Sequence, residues 1–451
     1  MTISVMKFGG GILKDAQAMQ LCAEIVRERR EKKQEILAVV SALNGVTDSI
    51  LAACNQAATS EESVQNFILN LKEKHNSALS GVKSDKIKQE TIKTIDAKCA
   101  KLERILYGVA YTQDASPKLT DNAVSYGERL SAVIFNAYIQ DTKTNSVAID
   151  ADDVIVTNSN FQNAHPLMKE TKTNFEKKIK PLLKTQAIVF TGFFGATQKA
   201  EVATLGRGGS DYTAGLAAGC LAADVVEIWK DVSGFLTTDP RVVPNAKLIS
   251  ALAYEEAQEL GYFGSKILHP RTIEPLVAQQ IPIEIRSVYT PKIAGTVISN
   301  KAPSNVKAIA TKKQTSIITV EGGEVDAPGF AALVFSKMNE AKIPIDVIAT
   351  AQVSISFTID SKYEKQALEI LSKVGAIHTY ARSNMALLAI VGTGLKHNMQ
   401  LCSQILQMLS DSKIPVELIS MGGREISLSL LIPEDKLNQA TTQTHKLLIG
   451  E

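Results

Sequence analysis

At 451 residues the chain is too long for one ordinary domain, and two or three domains of roughly 100–250 residues each are expected. A content of 45% hydrophobic and 21% charged residues excludes a disordered chain, and 49 basic against 47 acidic side chains give no ground for a nucleic-acid or membrane-surface partner. The cysteines (Cys22, Cys54, Cys99, Cys220, Cys402) are scattered without a CxxC, and no apolar run reaches the roughly 20 residues of a membrane span, so a reducing, cytoplasmic setting is expected.

Ile3–Phe8 is a short apolar strand running into Gly9-Gly10-Gly11, a start unlike a secretory signal. Met19, Cys22, Ile25 and Val26 then follow helical spacing, and Ile36–Val40 is the continuous apolar run of a buried parallel strand. From about Glu61 to Thr112 the chain is lysine-rich and helical, outside the central sheet. A helix is predicted to start at Asp121 as N-cap and run towards Gln140. Further strands are expected at Ser146–Ile149, Ala187–Phe190, Val225–Trp229 and Pro282–Ile285, with a helix over Asp211–Ala222 capped by Ser210 or Asp211. Strand and helix alternating in this way predict an α/β sandwich with a mostly parallel sheet.

The pattern changes after Lys301, where Ala302-Pro-Ser-Asn305 reads as a linker. Ala341-Lys-Ile-Pro-Ile-Asp-Val-Ile348 then matches Ser412-Lys-Ile-Pro-Val-Glu-Leu-Ile419. Each copy follows an amphipathic helix (331–341, 399–412) and precedes an alternating strand (353–359, 426–432). The predicted division is a catalytic region over residues 1–300 and a repeated region over 301–451. Its first unit spans about 315–382 and its second about 383–451, with a strand borrowed from 305–314. Exposed sheet edges in such units invite side-by-side pairing.

No G-x-x-x-x-G-K-[ST] is present, so a P-loop is excluded and phosphate must be handled by other turns. Lys7-Phe-Gly-Gly10 sets an ammonium beside bare backbone NH groups. Thr204-Leu-Gly-Arg-Gly-Gly-Ser-Asp211 combines backbone donors with an arginine fork suited to a carboxylate. Asp231-Val-Ser-Gly-Phe-Leu-Thr-Thr-Asp-Pro-Arg241 and Phe263-Gly-Ser-Lys-Ile-Leu-His-Pro270 add further turns, with His269 read as structural.

Eight segments in register resemble the aspartate kinases of the amino-acid kinase superfamily. They are Lys7–Gly10, Val40-Ser-Ala-Leu-Asn-Gly-Val-Thr47, Ser125-Tyr-Gly-Glu-Arg-Leu-Ser131, Thr191-Gly-Phe193, Thr204–Asp211, Trp229-Lys-Asp-Val-Ser-Gly234, Thr238-Asp-Pro-Arg241 and Lys266-Ile-Leu-His-Pro270. The repeated units look like tandem ACT domains of ferredoxin-like βαββαβ form. The resemblance implies transfer of the ATP γ-phosphoryl to the β-carboxylate of L-aspartate, with Mg²⁺ carried by ATP rather than by a protein metal site. It implies Lys7, Asp211 and Lys266 as catalytic residues, and Ser41, Thr47, Glu128 and Arg207 for aspartate, Arg207 on the α-carboxylate and Glu128 on the α-ammonium. Gly9, Gly10, Asp231, Phe235, Thr238, Arg241 and Lys266 would line the nucleotide site, Phe235 as a stacking surface. Lysine or threonine would act on the first ACT unit at Asp326, Gly329, Phe330, Asp346 and Gln352, and the ACT units would pair two chains, with a tetramer as the next assembly.

The family usually has hydroxyl residues where Gly11-Ile12 stands, and many members have threonine at Lys230 and Asn at Asp48. A Ser-Glu pair common in lysine-inhibited members is here Ala351-Gln352. Two alternatives accompany the leading reading. One is a kinase for glutamate, carbamate or a nucleoside monophosphate; the other is an amino-acid sensor with a decayed kinase half. The chain lacks the several hundred residues of a fused homoserine dehydrogenase, so a monofunctional enzyme at the head of lysine, threonine and methionine biosynthesis is expected.

Overall fold

The computed structural model describes residues 2–265, 267–322, 329–395, 398–421 and 426–450. Two compact units form, Met1–Gly234 with Leu268–Asn300, and Phe235–Ile267 with Lys301–Glu451. The chain thus enters the second unit and returns before crossing for good at Lys301.

In the first unit the strands lie in the order Ser146–Ile149, Ala187–Thr191, Glu35–Val40, Ile3–Phe8, Val225–Lys230 and Ile283–Ser287, all parallel, and Thr296–Ile298 pairs antiparallel with the last. Every residue of Ile3–Phe8 and Glu35–Val40 is buried, because helices cover both faces of a parallel sheet. The helix Ala16–Glu31 starts at Asp15, whose side chain accepts from the Ala18 NH at 2.8 Å. Helices Val46–Ala57, Glu62–Ala78, Asp85–Thr112 and Tyr126–Asp141 supply half of one large apolar core, with Ile50, Ile68, Leu102 and Phe135 among its members.

The helix expected to start at Asp121 is two helices, Pro117–Val124 and Tyr126–Asp141. Proline at the first position of the earlier helix marks its start. Asp121 is therefore interior, and its carboxylate accepts from the Gln162 NH (2.7 Å), the Thr204 NH (2.8 Å) and the Thr204 hydroxyl (2.8 Å). Neither Ser210 nor Asp211 caps the next helix. It runs Gly209–Leu221 with Gly208 as N-cap at φ 73°, leaving the Asp211 side chain available for other work. A small sheet of Val156–Thr157, Phe194–Thr197 and Val202–Thr204, too short to show a period, holds the strand that ends at Thr204.

The second unit carries an antiparallel six-stranded sheet in the order Ile348–Ala351, Ser354–Asp360, Ala308–Glu321, His378–Val391, Ser427–Pro433, Leu418–Met421. Its two longest strands are shared. Ile318 and Val320 line one apolar core beneath helices Phe330–Glu340 and Glu364–Leu371. Ile309, Leu388 and Ile390 line a second beneath Met399–Asp411 and Leu437–Ile449. Among the described residues no helix is long and apolar enough to cross a membrane.

Candidate active site

The parallel strands of the first unit end at a cleft of about 300 Å³. It is lined from five separate stretches: Lys7 and Gly10; Ser41 to Asp48; Glu128; Phe193; and Gly208–Asp211. Loops at the carboxyl ends of neighbouring parallel strands converge in this way wherever such a sheet binds ligand.

Lys7 is buried at the end of its strand, and its ammonium lies 2.5 Å from Asp211 Oδ1. Gly9 leaves room for it, since a Cβ there would stand 3.1 Å from Lys7 Nζ. Gly10 lets the turn pass the opposing loop, for a Cβ there would meet the Ala42 carbonyl at 2.5 Å. Burial alone would raise the Asp211 pKa, but Lys7, with Lys230 and His269 behind it, outweighs burial and holds the carboxyl below its ordinary range. Lys230 is pushed down by its own burial and by Lys7, against Asp211 and Asp231.

Glu128 is buried on the first turn of Tyr126–Asp141, with Oε2 unpartnered. Burial pushes its pKa up to about 8, and hydrogen bonds from the backbone at Ala42 and at its own position, then Lys7, oppose the rise only in part. The neighbouring Arg129 fastens this helix. Its guanidinium donates to Asp150 (2.7 Å) and Asp152 (2.6 Å) and lies 4.6 Å from the Phe194 ring. Ser41 and Thr47 are half-buried on the facing loop, which Lys74 ties down through the Asn44 carbonyl at 2.7 Å.

Arg207 is exposed between Gly206 (φ 79°) and Gly208 (φ 73°), without an ion pair among the described residues. His269 packs where a Gly208 side chain would stand, since a Cβ would fall 2.4 Å from its ring. Gly11 is open and Ile12 is 2% exposed in the core, so the first glycine turn brings no hydroxyl to the cleft.

Of the residues expected at the nucleotide, Asp231 is exposed after the strand Val225–Lys230. Phe235, Thr238 and Arg241 fall in the second unit. Phe235 is 1% exposed there and offers no ring face, which removes it as a stacking surface. Thr238 is buried with an unpartnered hydroxyl, and exposed Arg241 pairs with Asp239 at 2.7 Å. Lys266 and Asp326 lie outside the described residues.

In the first repeated unit, Gly329 caps Phe330–Glu340 at φ 93°, while Phe330 belongs to the core and Gln352 is exposed in a turn. Asp346 is engaged within the unit. The Lys312 ammonium contacts its Oδ2, and the Tyr262 hydroxyl lies within hydrogen-bond distance of its Oδ1 (3.2 Å) and of the Ile345 carbonyl (3.1 Å), sharing one proton between them. Arg129 and Lys312 are residues that motif reading left without a role, and Asp121 reads in sequence only as an N-cap. Only a proline at 117, placing Asp121 inside a helix, could have signalled one of them.

Residues 2–287 match the amino acid kinase family, and residues 318–374 and 388–448 match the ACT domain. The chain is 30% identical to lysine-sensitive aspartokinase 3 of Escherichia coli, covering 99% of each sequence. It superposes on the crystal structure of E. coli aspartokinase III in complex with aspartate and ADP (R-state) with a TM-score of 0.85 at 29% identity, and on the lysine and aspartate complex (T-state) with 0.82 at 28%, covering 99% of both chains each time.

Proposed function

The chain belongs to the aspartokinases of the amino acid kinase family, and from that premise we propose how its cleft moves the γ-phosphoryl of ATP to the β-carboxylate of L-aspartate. One observation carries the assignment: a single cleft joins the Lys7–Asp211 pair to Glu128, Ser41 and Thr47.

The acceptor is a carboxylate with a free pKa of about 4, ionised at neutral pH, so no general base is required. A β-carboxylate oxygen attacks the γ-phosphorus, the bond from that phosphorus to the β,γ-bridging oxygen breaks, and ADP leaves with the electron pair. The chemical problem is the meeting of two anions, and the chain answers it with fixed positive charge. Lys7 faces the transferring group, and Asp211 fixes its ammonium. Lys266 is the second cation by family position. Glu128 receives the α-ammonium: a cation at this buried carboxyl lowers its pKa, so aspartate binding expels a proton. Arg207 takes the α-carboxylate, and Ser41 and Thr47 orient the substrate. Asp231, Thr238 and Arg241 remain the nucleotide candidates.

Among the described residues no three His, Cys, Asp or Glu side chains converge to hold a metal, and Asp211 is committed to Lys7. This donor set fits a magnesium ion arriving on the ATP phosphates, with Asp211 the cleft carboxylate that would face it. Such an ion supplies further charge neutralisation.

The ACT units are the regulatory part, with lysine or threonine as effector at Asp346 and the pairing of two chains through these units as the assembly. An effector's ammonium reaches Asp346 only by displacing Lys312.

Trapping the product with hydroxylamine tests the assignment. The expected result is ATP-dependent β-aspartyl hydroxamate from L-aspartate. Turnover with glutamate, carbamate or a nucleoside monophosphate but not aspartate overturns it.

A further inference from the structure

Arg207 stands on the turn Gly206-Arg207-Gly208, where both glycines are left-handed. Glycine is the freest backbone a chain can offer, so the direction in which Arg207 points depends on what grips the two ends of the turn. The strand Val202–Thr204 leads into it and the helix Gly209–Leu221 leads away. Across the turn the Gly209 NH donates to the Gly206 carbonyl at 3.0 Å.

Arg271 meets both ends. Its Nη1 donates to the Leu205 carbonyl, immediately before the turn, at 2.8 Å, and to Asn163 Oδ1 at 3.3 Å. Its guanidinium carbon lies 4.5 Å from the centre of the Tyr212 ring, on the first turn of the helix that follows. The Tyr212 NH in turn donates to the Gly208 carbonyl at 2.9 Å. Asn163 also walls Gly206, where a Cβ would stand 3.0 Å from its Oδ1. One planar cation therefore joins the strand end, the neighbouring loop and the helix start. A lysine cannot do the same, since an ammonium has no flat face to lay on a ring while it donates sideways. Among the described residues that line the cleft, Gly208 belongs to this turn and Arg271 is absent, so any influence of Arg271 on substrate passes through the backbone it holds.

We propose that Arg271 is a positioning residue for aspartate: it fixes the turn that presents Arg207, and so sets how tightly the α-carboxylate is held without touching the substrate. This deepens the aspartokinase reading above and rests on its assignment of Arg207 to the α-carboxylate.

Steady-state kinetics of Arg271→Met, alone and combined with Arg207→Met, test it. Arg271→Met is expected to raise KM for aspartate about tenfold, with KM for ATP and kcat within about threefold of wild type. In the Arg207→Met background the same change should lower kcat/KM for aspartate by no more than about twofold, because the group that Arg271 positions is already gone. Two milder variants divide the grip. Arg271→Lys keeps the charge and Tyr212→Leu removes the ring face, and each should raise KM for aspartate about threefold. An unchanged KM for aspartate in Arg271→Met overturns the proposal. So does a loss spread equally over aspartate, ATP and kcat, or a loss that is as large without Arg207 as with it, since either marks Arg271 as a general structural tie. If Arg271→Met does not fold, wild-type KM for aspartate in both milder variants overturns it instead. Absence of hydroxamate from the wild-type chain would remove the aspartokinase reading itself. Hydroxamate formation with a KM for aspartate unchanged in Arg207→Met would keep that reading and remove this proposal.

Discussion

Two lysine–carboxylate pairs stand at the positions proposed for catalysis and for regulation, and their surroundings separate them. Lys7–Asp211 is buried beside an open cleft, with further cations around the carboxylate and an unpartnered glutamate across from it. Lys312–Asp346 has one cation and one tyrosine hydroxyl, and these already occupy the carboxylate. The first pair borders an open cleft. The second is satisfied within its own unit, so an effector there must compete with a side chain. The same kind of ion pair thus borders an open cleft in one unit and is enclosed by its own neighbours in the other.

The largest way to break this contrast is at Lys7. Lys7→Ala is expected to lower turnover about 10³-fold or more. It also strands a buried carboxylate, a loss of about 3–5 kcal/mol measurable in urea unfolding. Adding Asp211→Asn removes the stranded charge and should recover stability without recovering turnover. Joint recovery would show the pair to be a structural tie.

Glu128 comes next. Glu128→Gln should raise KM for aspartate by about 10- to 100-fold with a smaller change in KM for ATP, measured by steady-state kinetics. It should also change the pH dependence of stability. The folded carboxyl holds its proton up to about 8 and the unfolded one only to about 4.5, so the folded state binds more protons between these values. Stability therefore falls as pH rises through that window, and the glutamine variant lacks this contribution. Denaturation midpoints from pH 4 to 9 are the check.

Much of the site is legible in sequence because glycine turns and charged residues at strand ends are local patterns. Lys7, Gly10, Glu128 and Asp211 each sit in a short motif, and parallel-sheet topology brings those motifs together. What stayed hidden depends on partners far along the chain. Asp121 has the composition of an N-cap, but its acceptors serve Gln162 and Thr204, and Ser116-Pro117 was the better start signal. Phe235 follows a glycine as a stacking residue might, yet only packing reveals that its ring is enclosed. Lys312 meets Asp346 across the fold, beside a register irregularity in strand Ala308–Glu321, a pairing that a repeat comparison cannot show.

Two smaller effects sharpen the contrast. Asp121→Asn exchanges a carboxylate that accepts three hydrogen bonds for an amide, and should cost about 1–3 kcal/mol in chemical denaturation, with KM for aspartate rising because Thr204 leads into the Arg207 turn. If lysine is the effector proposed at Asp346, Lys312→Met frees that carboxylate and should strengthen its inhibition about tenfold in a dose–response assay. Unchanged inhibition would mean that Lys312 does not compete with the effector.

The central claim is that the buried Glu128 carboxyl waits for the ammonium of aspartate. Calorimetry of aspartate binding at pH 7, in buffers of different ionisation enthalpy, tests it directly. With a carboxyl that titrates near 8 in the free protein, close to one proton should be released per aspartate bound by the wild type, and none by Glu128→Gln. Binding without proton release, or the same release from the glutamine variant, would contradict the account.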